Sequence, residues 1–424
     1  MNGGVRKRGS TWSYYFDLGK VEGKRKKKEK GGFRTKKEAE AALAAAINEY
    51  NHAGIVFEPS EVTVSDYLDQ WYELYCKPNL KYNTQVGYLR IIEAHIKPQF
   101  GHYKLKAINP AILQEYANNL KLNSYSKSHI VGILTVFQSA LDYAIEPLHY
   151  ISQNPMKAVK FPKVERRPRE RIILTMDEWE QIIERFQGTR YYIPLMIGFY
   201  TGLRISEAFA LTWDDIDLEN KTLTVNKQIV KRNFGADVRK VVEQKGKREQ
   251  RSSWYFATPK TTASTRTIPF GNTLCNALKA EHTAQKKNEL KYGEFYTIHV
   301  LKKELDEKGN NLFRVIPMQK CVDSQLQRIR LVCIAENGQY TSTDSFKFCS
   351  RVIHNELHLA FDYHSLRHTH ATMLIEAGAN VKNVQARLGH SNIQTTLQTY
   401  VHDTEKMGQQ SVDIFEEITA RKLS

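Results

Sequence analysis

The chain has 424 residues and a formal net charge of +16 at pH 7, so we expect two to four domains and a polyanionic partner, either nucleic acid or an anionic membrane surface. No apolar run approaches the roughly 20 residues that span a bilayer, and residues 1–12 lack the apolar stretch of a signal peptide, which favours a cytoplasmic protein that does not cross a membrane. The five cysteines are scattered and form no C-x-x-C pair, a pattern typical of reduced thiols and of neither a disulfide framework nor a zinc site.

Residues 1–58 are predicted to form a small separate domain with a three-stranded sheet and one helix. Residues 12–17 (WSYYFD) have the aromatic composition typical of a β-strand, and glycines flank the lysine-rich run at residues 24–30. Thr35 followed by Glu38 is a capping-box pattern, which predicts that a helix begins there. The basic run is typical either of a solvated loop or of strands that dock on DNA phosphates, and the interleaved aromatic residues favour the strands.

Residues 59–165 are predicted to form a helical domain. Four residues mark the expected starts of its helices: Ser65, Thr84, Pro110 and Ser126. Apolar residues recur along each helix at spacings of three and four, which indicates a buried core stripe rather than a functional site. The lysines and arginines between these stripes suit a DNA-facing surface, although the pattern singles out none of them.

Residues 166–424 are predicted to form the last and largest domain. It follows a charged stretch at residues 160–171, whose prolines discourage a helix and whose arginines suit a strap over a phosphate backbone. Gly202 is expected to end one helix, and Arg204 to begin the next beside backbone amides that favour anions.

Two stretches of this domain have β patterns. Residues 222–232 alternate as one strand, and residues 254–269 are predicted to form a hairpin with Lys260 at its turn, where the side chain reaches out of the sheet. Residues 271–350 are less informative: a helix and two short β-like runs fit either a DNA-contacting insert or a loop-rich spacer, and we adopt the spacer. A final amphipathic helix is predicted over residues 404–422.

The segment at residues 364–400 brings together a strong base, two imidazoles and a phenol: Arg367, His364, His390 and Tyr400. These groups suit chemistry on a phosphate better than they suit a core. A metal site is the alternative interpretation, because His364 and His368 are one helical turn apart. No Glu follows His364 as in the H-E-x-x-H zinc motif, and the intervening Arg367 would repel a cation, so we expect no metal in this segment.

Five motifs carry a resemblance to a known family: T-G-L-R-I-S-E at residues 201–207, T-P-K-T-x-x-S-x-R-T-I-P at 258–269, H-x-L-R-H at 364–368, L-G-H at 388–390 and T-x-x-x-Y at 396–400. With these five motifs in this order and spacing, the chain resembles the tyrosine recombinase family, the integrases of phages and conjugative elements. The resemblance covers residues 166–424 strongly. It covers residues 1–58 and 59–165 more loosely, as an arm-site DNA-binding domain and a helical core-site DNA-binding domain.

The resemblance implies six catalytic residues, namely Arg204, Lys260, His364, Arg367, His390 and Tyr400. The two arginines would grip the scissile phosphate, because planar and permanently charged guanidinium groups stabilise the charge that grows in the transition state. The lysine would protonate the departing 5′ oxygen, the first histidine would help to move the proton of the nucleophile, and the second would hydrogen-bond the phosphate or the nucleophile. The tyrosine would attack phosphorus and form a 3′-phosphotyrosyl link, which conserves the phosphodiester energy, so that no ATP, metal or other cofactor is needed. Ser365 stands where the family often has Asp, a departure that affects only local hydrogen bonding.

The resemblance therefore implies a site-specific recombinase that integrates and excises the DNA of a mobile element. Expected partners are double-stranded DNA at core and arm attachment sites, further copies of the chain in a homo-tetramer, and an excisionase or a host DNA-bending protein. In this family the C-terminal segment is commonly donated to a neighbouring subunit. The expected fold is multidomain α+β: a small N-terminal three-stranded sheet plus helix, a helical-bundle core-binding domain, and a mainly α catalytic domain with a small antiparallel β-sheet.

Two functions other than recombination are consistent with parts of this pattern. A type IB topoisomerase-like enzyme shares the tyrosine nucleophile but relaxes DNA alone, and the arm-binding module and the helix after Tyr400 favour recombination over it. A non-catalytic DNA-binding or architectural protein would have no need for Tyr400.

Overall fold

The computed structural model describes residues 3–21, 24–53, 62–163, 171–233, 252–258, 265–306, 308–394, 397 and 416. These residues form two compact units, one from the described residues up to 163 and one from those beginning at 171. The predicted α+β class is confirmed, since helices and antiparallel sheets occur together. The predicted helix over residues 404–422 lies, apart from residue 416, outside the described residues.

The N-terminal part of the first unit is a three-stranded antiparallel sheet with one helix packed on it. Its elements are β1 Gly3–Arg8, β2 Thr11–Val21, β3 Lys24–Phe33 and α1 Lys36–Ala53, and β2 is the central strand. The capping box predicted for α1 is present: the Glu38 N–H donates to Thr35 Oγ1 over 3.2 Å, and the Thr35 N–H donates to the Glu38 carboxylate over 3.4 Å. Tyr14 and Phe16 of β2 are buried with Ala46 of α1, so the helix and one face of the sheet share a core.

The rest of the first unit is helical. Its α-helices are α2 Val64–Trp71, α3 Lys77–Asn79, α4 Tyr82–Ile91, α5 Lys97–Phe100, α6 Pro110–Leu122 and α7 Lys127–Ile145. The predicted starts at Pro110 and Ser126 are confirmed. Ser65 is not the first cap, because Thr63 accepts the Asp66 N–H over 3.1 Å and places Ser65 inside the first turn. Helix α4 begins at Tyr82, two residues before the predicted Thr84.

Two π-helical turns interrupt these helices, and each lies just before a Lys-Pro pair. Tyr72–Cys76 joins α2 to α3 ahead of Pro78, and Ile92–Ile96 joins α4 to α5 ahead of Pro98. Proline donates no N–H, and its ring clashes with the carbonyl four residues earlier in a regular helix, so a wider turn accommodates it. The lysine of each pair forms an i,i+4 salt bridge to a glutamate across the turn. The helices therefore continue past both prolines.

Helix α7 is long and apolar enough to cross a membrane by length and composition alone. Its inward stripe is nevertheless part of the core of the first unit, with Ile130, Ile133, Leu134, Phe137 and Leu141 all buried as predicted. Leu74, which the same spacing places in the core, is 48% exposed. It lies on the first π-helical turn, where the wider repeat moves side chains off the 3.6-residue stripe.

The second unit combines helices with two antiparallel sheets. Its helices are α8 Met176–Phe186, α9 Tyr192–Thr201, α10 Ile205–Ala208, α11 Asn272–Tyr292, α12 Phe346–Glu356, α13 Tyr363–Glu376 and α14 Val381–Leu388. Its strands are β4 Ile216–Asp217, β5 Thr222–Val225, β6 Gln228–Asn233, β7 Ser252–Ala257, β8 Arg266–Pro269, β9 Thr297–Leu305, β10 Asn311–Gln319 and β11 Gln327–Ile329. The sheets have the orders β11-β9-β10-β7-β6 and β4-β5-β8.

Both β predictions near the centre of the chain need correction. The single strand predicted at residues 222–232 is two strands, β5 and β6, which belong to different sheets. Asn226 and Lys227 separate them, and the Lys227 ammonium forms an ion pair with the buried Asp215 carboxylate. The hairpin predicted at residues 254–269 is also wrong, because β7 pairs with β6 and β10, whereas β8 pairs with β5.

The interpretation of residues 271–350 as a loop-rich spacer is wrong as well. They contain the long helix α11 and the hairpin of β9 and β10, whose turn is closed by N–H groups of Lys308 and Asn310 that donate to the Asp306 carboxylate. Of the two short β-like runs expected in this stretch, residues 313–316 and 330–334, the first lies in β10 and the second is not a strand, since it makes only isolated bridges to neighbouring segments. This part of the chain is therefore a structured extension of the larger sheet.

Candidate active site

Four of the six predicted catalytic residues lie in the described part of the second unit: Arg204, His364, Arg367 and His390. The other two, Lys260 and Tyr400, lie outside the described residues. The four described residues lie on three segments: the junction of α9 and α10, the helix α13, and the turn that follows α14.

The junction of α9 and α10 depends on Gly202. Its φ of +66° is left-handed, so it ends α9 as predicted. A Cβ at this position would come within 2.9 Å of both the His370 ring and the Leu388 side chain, which means that space as well as conformation requires glycine. Arg204 then becomes the N-cap residue of α10. The close packing at Gly202 brings the start of α10 against α13 and α14.

Arg204 is held by one carboxylate and one carbonyl. Its Nη1 donates to Glu207 Oε1 over 2.9 Å, its backbone N–H donates to Glu207 Oε2 over 3.1 Å, and its Nη2 donates to the Gly389 carbonyl over 3.4 Å. The Arg204 side chain remains 36% exposed, whereas Glu207 is only 4% exposed. The guanidinium is therefore fixed from the protein side while part of it faces outward.

Glu207 is shared between two arginines. Its Oε1 accepts from Arg204, and its Oε2 accepts from Arg266 Nη2 over 2.9 Å. Burial acts to raise the pKa of the Glu207 carboxyl, but the charges and hydrogen bonds of Arg266 and Arg204 outweigh it and hold the pKa below its ordinary value. Glu207 is therefore a carboxylate at neutral pH, and it orients both guanidinium groups.

Arg367 is buried in α13, with only 1% of its surface exposed. Its Nη1 donates to the Gly202 carbonyl over 2.9 Å, and its Nη2 donates to the Leu388 carbonyl over 2.8 Å. The same Nη2 lies 2.7 Å from His390 Nε2. Because a guanidinium can only donate, His390 Nε2 accepts and its proton resides on Nδ1. These contacts tie α13 to both of the glycine-containing turns.

The Leu-Gly-His turn brings His390 back toward Arg367. Gly389 has a φ of +66° and ends α14, and the Gln385 side-chain amide donates to the His390 carbonyl over 2.9 Å. Burial, followed by the positive charges of Arg367 and Arg204, lowers the pKa of His390 to about 4. The imidazole is therefore neutral at pH 7, in agreement with its role as a hydrogen-bond acceptor.

His364 lies in the first turn of α13, which is capped by Asp362 through a hydrogen bond from the Ser365 N–H to its side chain. Its side chain is exposed, and its ring packs edge to face against His368 with centroids 4.6 Å apart. Partial desolvation and then the charge of Arg367 lower the pKa of His364. His364 is thus neutral at pH 7 and able to accept a proton.

Three residues without a predicted catalytic role hold these segments together. Arg387 Nε donates to His370 Nε2 over 2.9 Å, and its other nitrogens donate to the Pro269 and Tyr200 carbonyls. Arg266 connects Glu207 to α14, since its Nε donates to the Arg387 carbonyl over 2.7 Å. Sequence reasoning missed these connections, although Arg266 stands inside the T-P-K-T-x-x-S-x-R-T-I-P motif. His370 has a structural role that its position beside His368 did not suggest.

Comparisons with known proteins identify the families to which parts of the chain are similar. Residues 173–407 match the phage integrase family, residues 63–121 match the N-terminal SAM-like domain of phage integrases, and residues 5–50 match an arm DNA-binding domain. The chain is 28% identical over 391 residues to a tyrosine recombinase XerC-like protein of Caldanaerobacter subterraneus subsp. tengcongensis, which covers 91% of this chain and 90% of the relative.

Two solved structures share the fold. The Tn1549 transposon integrase in complex with a circular intermediate DNA has a TM-score of 0.60 and 22% identity, and the alignment covers 84% of this chain and 99% of that one. A lambda integrase tetramer bound to a Holliday junction has a TM-score of 0.52 and 17% identity, with 95% and 96% of the two chains covered.

Proposed function

Because the chain belongs to the phage integrase family and is a tyrosine site-specific recombinase of the kind that mobile elements encode, we propose that it cleaves and rejoins double-stranded DNA through a 3′-phosphotyrosyl intermediate. The observation that carries this proposal is the meeting of Arg204, Arg367 and His390 around one turn. Arg204 donates to the carbonyl of Gly389 and Arg367 donates to that of Leu388, so the two guanidinium groups lie on adjacent peptide units.

This arrangement suits a phosphodiester in its transition state. A pentacoordinate phosphorus gains negative charge on its non-bridging oxygens, and guanidinium groups that are already oriented stabilise that charge without reorganising. Arg204, with its outward-facing surface, would bind the phosphate directly. Arg367 would act at the base of the site together with His390, whose Nε2 accepts a hydrogen bond from the Arg367 guanidinium.

The remaining steps need the two residues outside the described part of the chain. The Tyr400 hydroxyl attacks phosphorus, the P–O5′ bond breaks, and a bond between phosphorus and the tyrosine oxygen forms. His364 accepts the tyrosine proton, and Lys260 gives a proton to the departing 5′ oxygen. A 5′ hydroxyl from another strand then attacks the phosphotyrosine and releases Tyr400, so that one phosphodiester replaces another and no external energy source is consumed.

We assign DNA-binding roles to the rest of the chain. Residues 1–58 would bind arm sites, residues 59–165 core sites, and residues 166–424 would carry out catalysis, a division supported by the matched arm, SAM-like and integrase regions. The relative solved as a tetramer on a Holliday junction supports a homo-tetramer that acts on two duplexes. Residues 404–422 would pack on a neighbouring subunit, and an excisionase or a host DNA-bending protein would set the direction of the reaction.

The test uses a nicked duplex that spans the joined ends of the mobile element. The full chain should form a covalent protein–DNA adduct on denaturing gels, and the adduct should survive EDTA. Tyr400→Phe should bind the same duplex with unchanged affinity and form no adduct. An adduct formed by Tyr400→Phe would refute the mechanism, and so would the loss of the wild-type adduct in EDTA.

The same preparation separates the two alternative functions. A type IB topoisomerase-like enzyme would relax a supercoiled plasmid that lacks the element ends, whereas a recombinase should act only on plasmids that contain them. A non-catalytic architectural protein would give no adduct with any duplex, although it would still bind DNA. Removing residues 1–58 should spare cleavage of the core site and impair integration.

A further inference from the structure

Arg266 is a buried arginine that joins three segments of the second unit. It is the first residue of β8, and its side chain is 7% exposed. Its Nη2 donates to Glu207 Oε2 over 2.9 Å, and its Nε donates to the Arg387 carbonyl over 2.7 Å. The plane of the guanidinium also lies against Gly389, where a Cβ would come within 2.9 Å of Arg266 Nη1 and 3.0 Å of its Cζ.

Two of these segments position residues assigned to catalysis, and the third follows such a residue in the sequence. Glu207 orients Arg204 through its other carboxylate oxygen. The backbone from Arg387 to Gly389 leads directly into His390, which contacts Arg367. The strand β8 begins six residues after Lys260 in the sequence. Arg266 is thus the side chain at which the supports of Arg204 and of His390 meet.

We propose that Arg266 is a positioning residue for DNA cleavage, which acts on the scissile phosphate through Glu207 and the Leu-Gly-His turn without touching DNA. This inference rests on the proposed function. It differs from a purely structural role, because it requires that the rate of cleavage respond to Arg266 while DNA binding and folding of the unit remain.

The shared carboxylate supplies the physical reason. With Arg266 present, Glu207 divides its two oxygens between two guanidinium groups, so the Arg204 guanidinium bonds Oε1 alone and keeps part of its surface outward. Without Arg266, both oxygens become available to Arg204, and a bidentate pair would turn that guanidinium away from the phosphate. The turn at Gly389 would at the same time lose the side chain against which it packs.

The experiment measures single-turnover adduct formation and DNA affinity separately, with the full chain and the nicked duplex described above. Arg266→Gln should lower the rate constant for adduct formation roughly ten- to a hundredfold, since a misplacement of about 1 Å costs that much, and should change the dissociation constant for DNA less than about threefold. Arg266→Lys should recover part of the rate, because it keeps a positive charge beside Glu207 but one ammonium nitrogen cannot occupy the positions of both Nη2 and Nε.

Arg314→Gln is the matched control. Arg314 is a mostly buried arginine of β10 in the same unit, and it forms an ion pair with Glu304 over 3.3 Å. Its loss should destabilise the unit to a similar extent as the loss of Arg266 and leave the rate constant for adduct formation unchanged. Equal slowing in both variants would show that Arg266 only stabilises the fold and would overturn the proposal.

A double variant tests the route through Glu207. If Arg266 acts through that carboxylate, Arg266→Gln combined with Glu207→Gln should cleave no more than about threefold slower than Glu207→Gln alone. Fully additive losses would refute this route, as would wild-type cleavage by Arg266→Gln.

If Arg266→Gln does not fold, Arg266→Lys decides the matter, and a wild-type rate in that variant would refute the proposal. Absence of a Tyr400-dependent adduct in the wild type would instead refute the proposed function itself.

Discussion

Replacement of Gly202 by alanine tests how tightly the candidate site is packed. The residue has a φ of +66°, and an added Cβ would lie 2.9 Å from the His370 ring and from the Leu388 side chain. An L-residue in this left-handed conformation costs roughly 1–2 kcal/mol. Overpacking against two side chains that are themselves held in place adds roughly 1–3 kcal/mol. Gly202→Ala should therefore destabilise the second unit by about 2–5 kcal/mol.

Gly188→Ala is the control for the conformational part of this cost. Gly188 has a φ of +73° in the same unit, and no atom lies within 4 Å of an added Cβ. It should lose only the roughly 1–2 kcal/mol of the left-handed conformation. Urea denaturation followed by tryptophan fluorescence gives both free energies of unfolding. Equal losses in the two variants would refute the packing argument.

A functional readout accompanies the stability measurement. The Gly202 carbonyl accepts a hydrogen bond from Arg367 Nη1 over 2.9 Å, so a shift of this turn also moves a guanidinium of the proposed site. Under conditions in which both variants are folded, Gly202→Ala should form the covalent DNA adduct roughly tenfold or more slowly than the wild type. Gly188→Ala should form it at the wild-type rate.

Changes to the buried charges of the site have outcomes that follow from the same contacts. Arg367→Lys should lower the rate constant for adduct formation roughly a hundredfold, because one ammonium nitrogen cannot occupy the positions of both Nη1 and Nη2. Unchanged single-turnover rates would contradict this. Glu207→Gln should destabilise the second unit by about 3 kcal/mol in urea denaturation, since two guanidinium groups would lose their shared carboxylate, and a neutral result would be inconsistent with that sharing. Burial and neighbouring positive charges lower the pKa values of His368, His370 and His390 to about 4. The unfolded histidines bind protons below about pH 6.5 and the folded ones do not, so stability should rise with pH between about 4 and 6.5, and equal urea midpoints at about pH 5 and pH 7 would argue against it.

Features that depend on a few neighbouring residues could be predicted from the sequence. Thr35 and Glu38 form the predicted capping box at the start of α1, and Gly202 and Gly389 end their helices in the left-handed conformation. In each case the physical cause is local, because a side chain bonds a nearby amide or a glycine adopts a conformation that other residues avoid. Because Gly202 ends α9, the sequence also places Arg204 at the start of the next helix.

Strand pairing could not be predicted in the same way. Residues 254–269 contain two β segments around a turn-like stretch, yet β7 joins β6 and β10 while β8 joins β5. The alternation at residues 222–232 likewise continues through a boundary between sheets, where Lys227 turns to the Asp215 carboxylate. Alternation of apolar and polar residues indicates that a segment suits a β-sheet, but it does not indicate which strand it pairs with.

The T-G-L-R and L-G-H motifs contact each other in the fold. This contact explains why the motifs include glycine and leucine, which take no part in the proposed reaction. The T-G-L-R turn packs its glycine against Leu388 of the L-G-H turn, and the L-G-H turn packs its glycine against Arg266. Arg367 donates to a carbonyl in each turn, so a substitution in either one moves the same guanidinium. The geometry of the proposed phosphate-binding groups therefore depends on backbone carbonyls and on the absence of side chains at Gly202 and Gly389 as much as on the arginines. Arg266 of β8 packs against the second of these glycines.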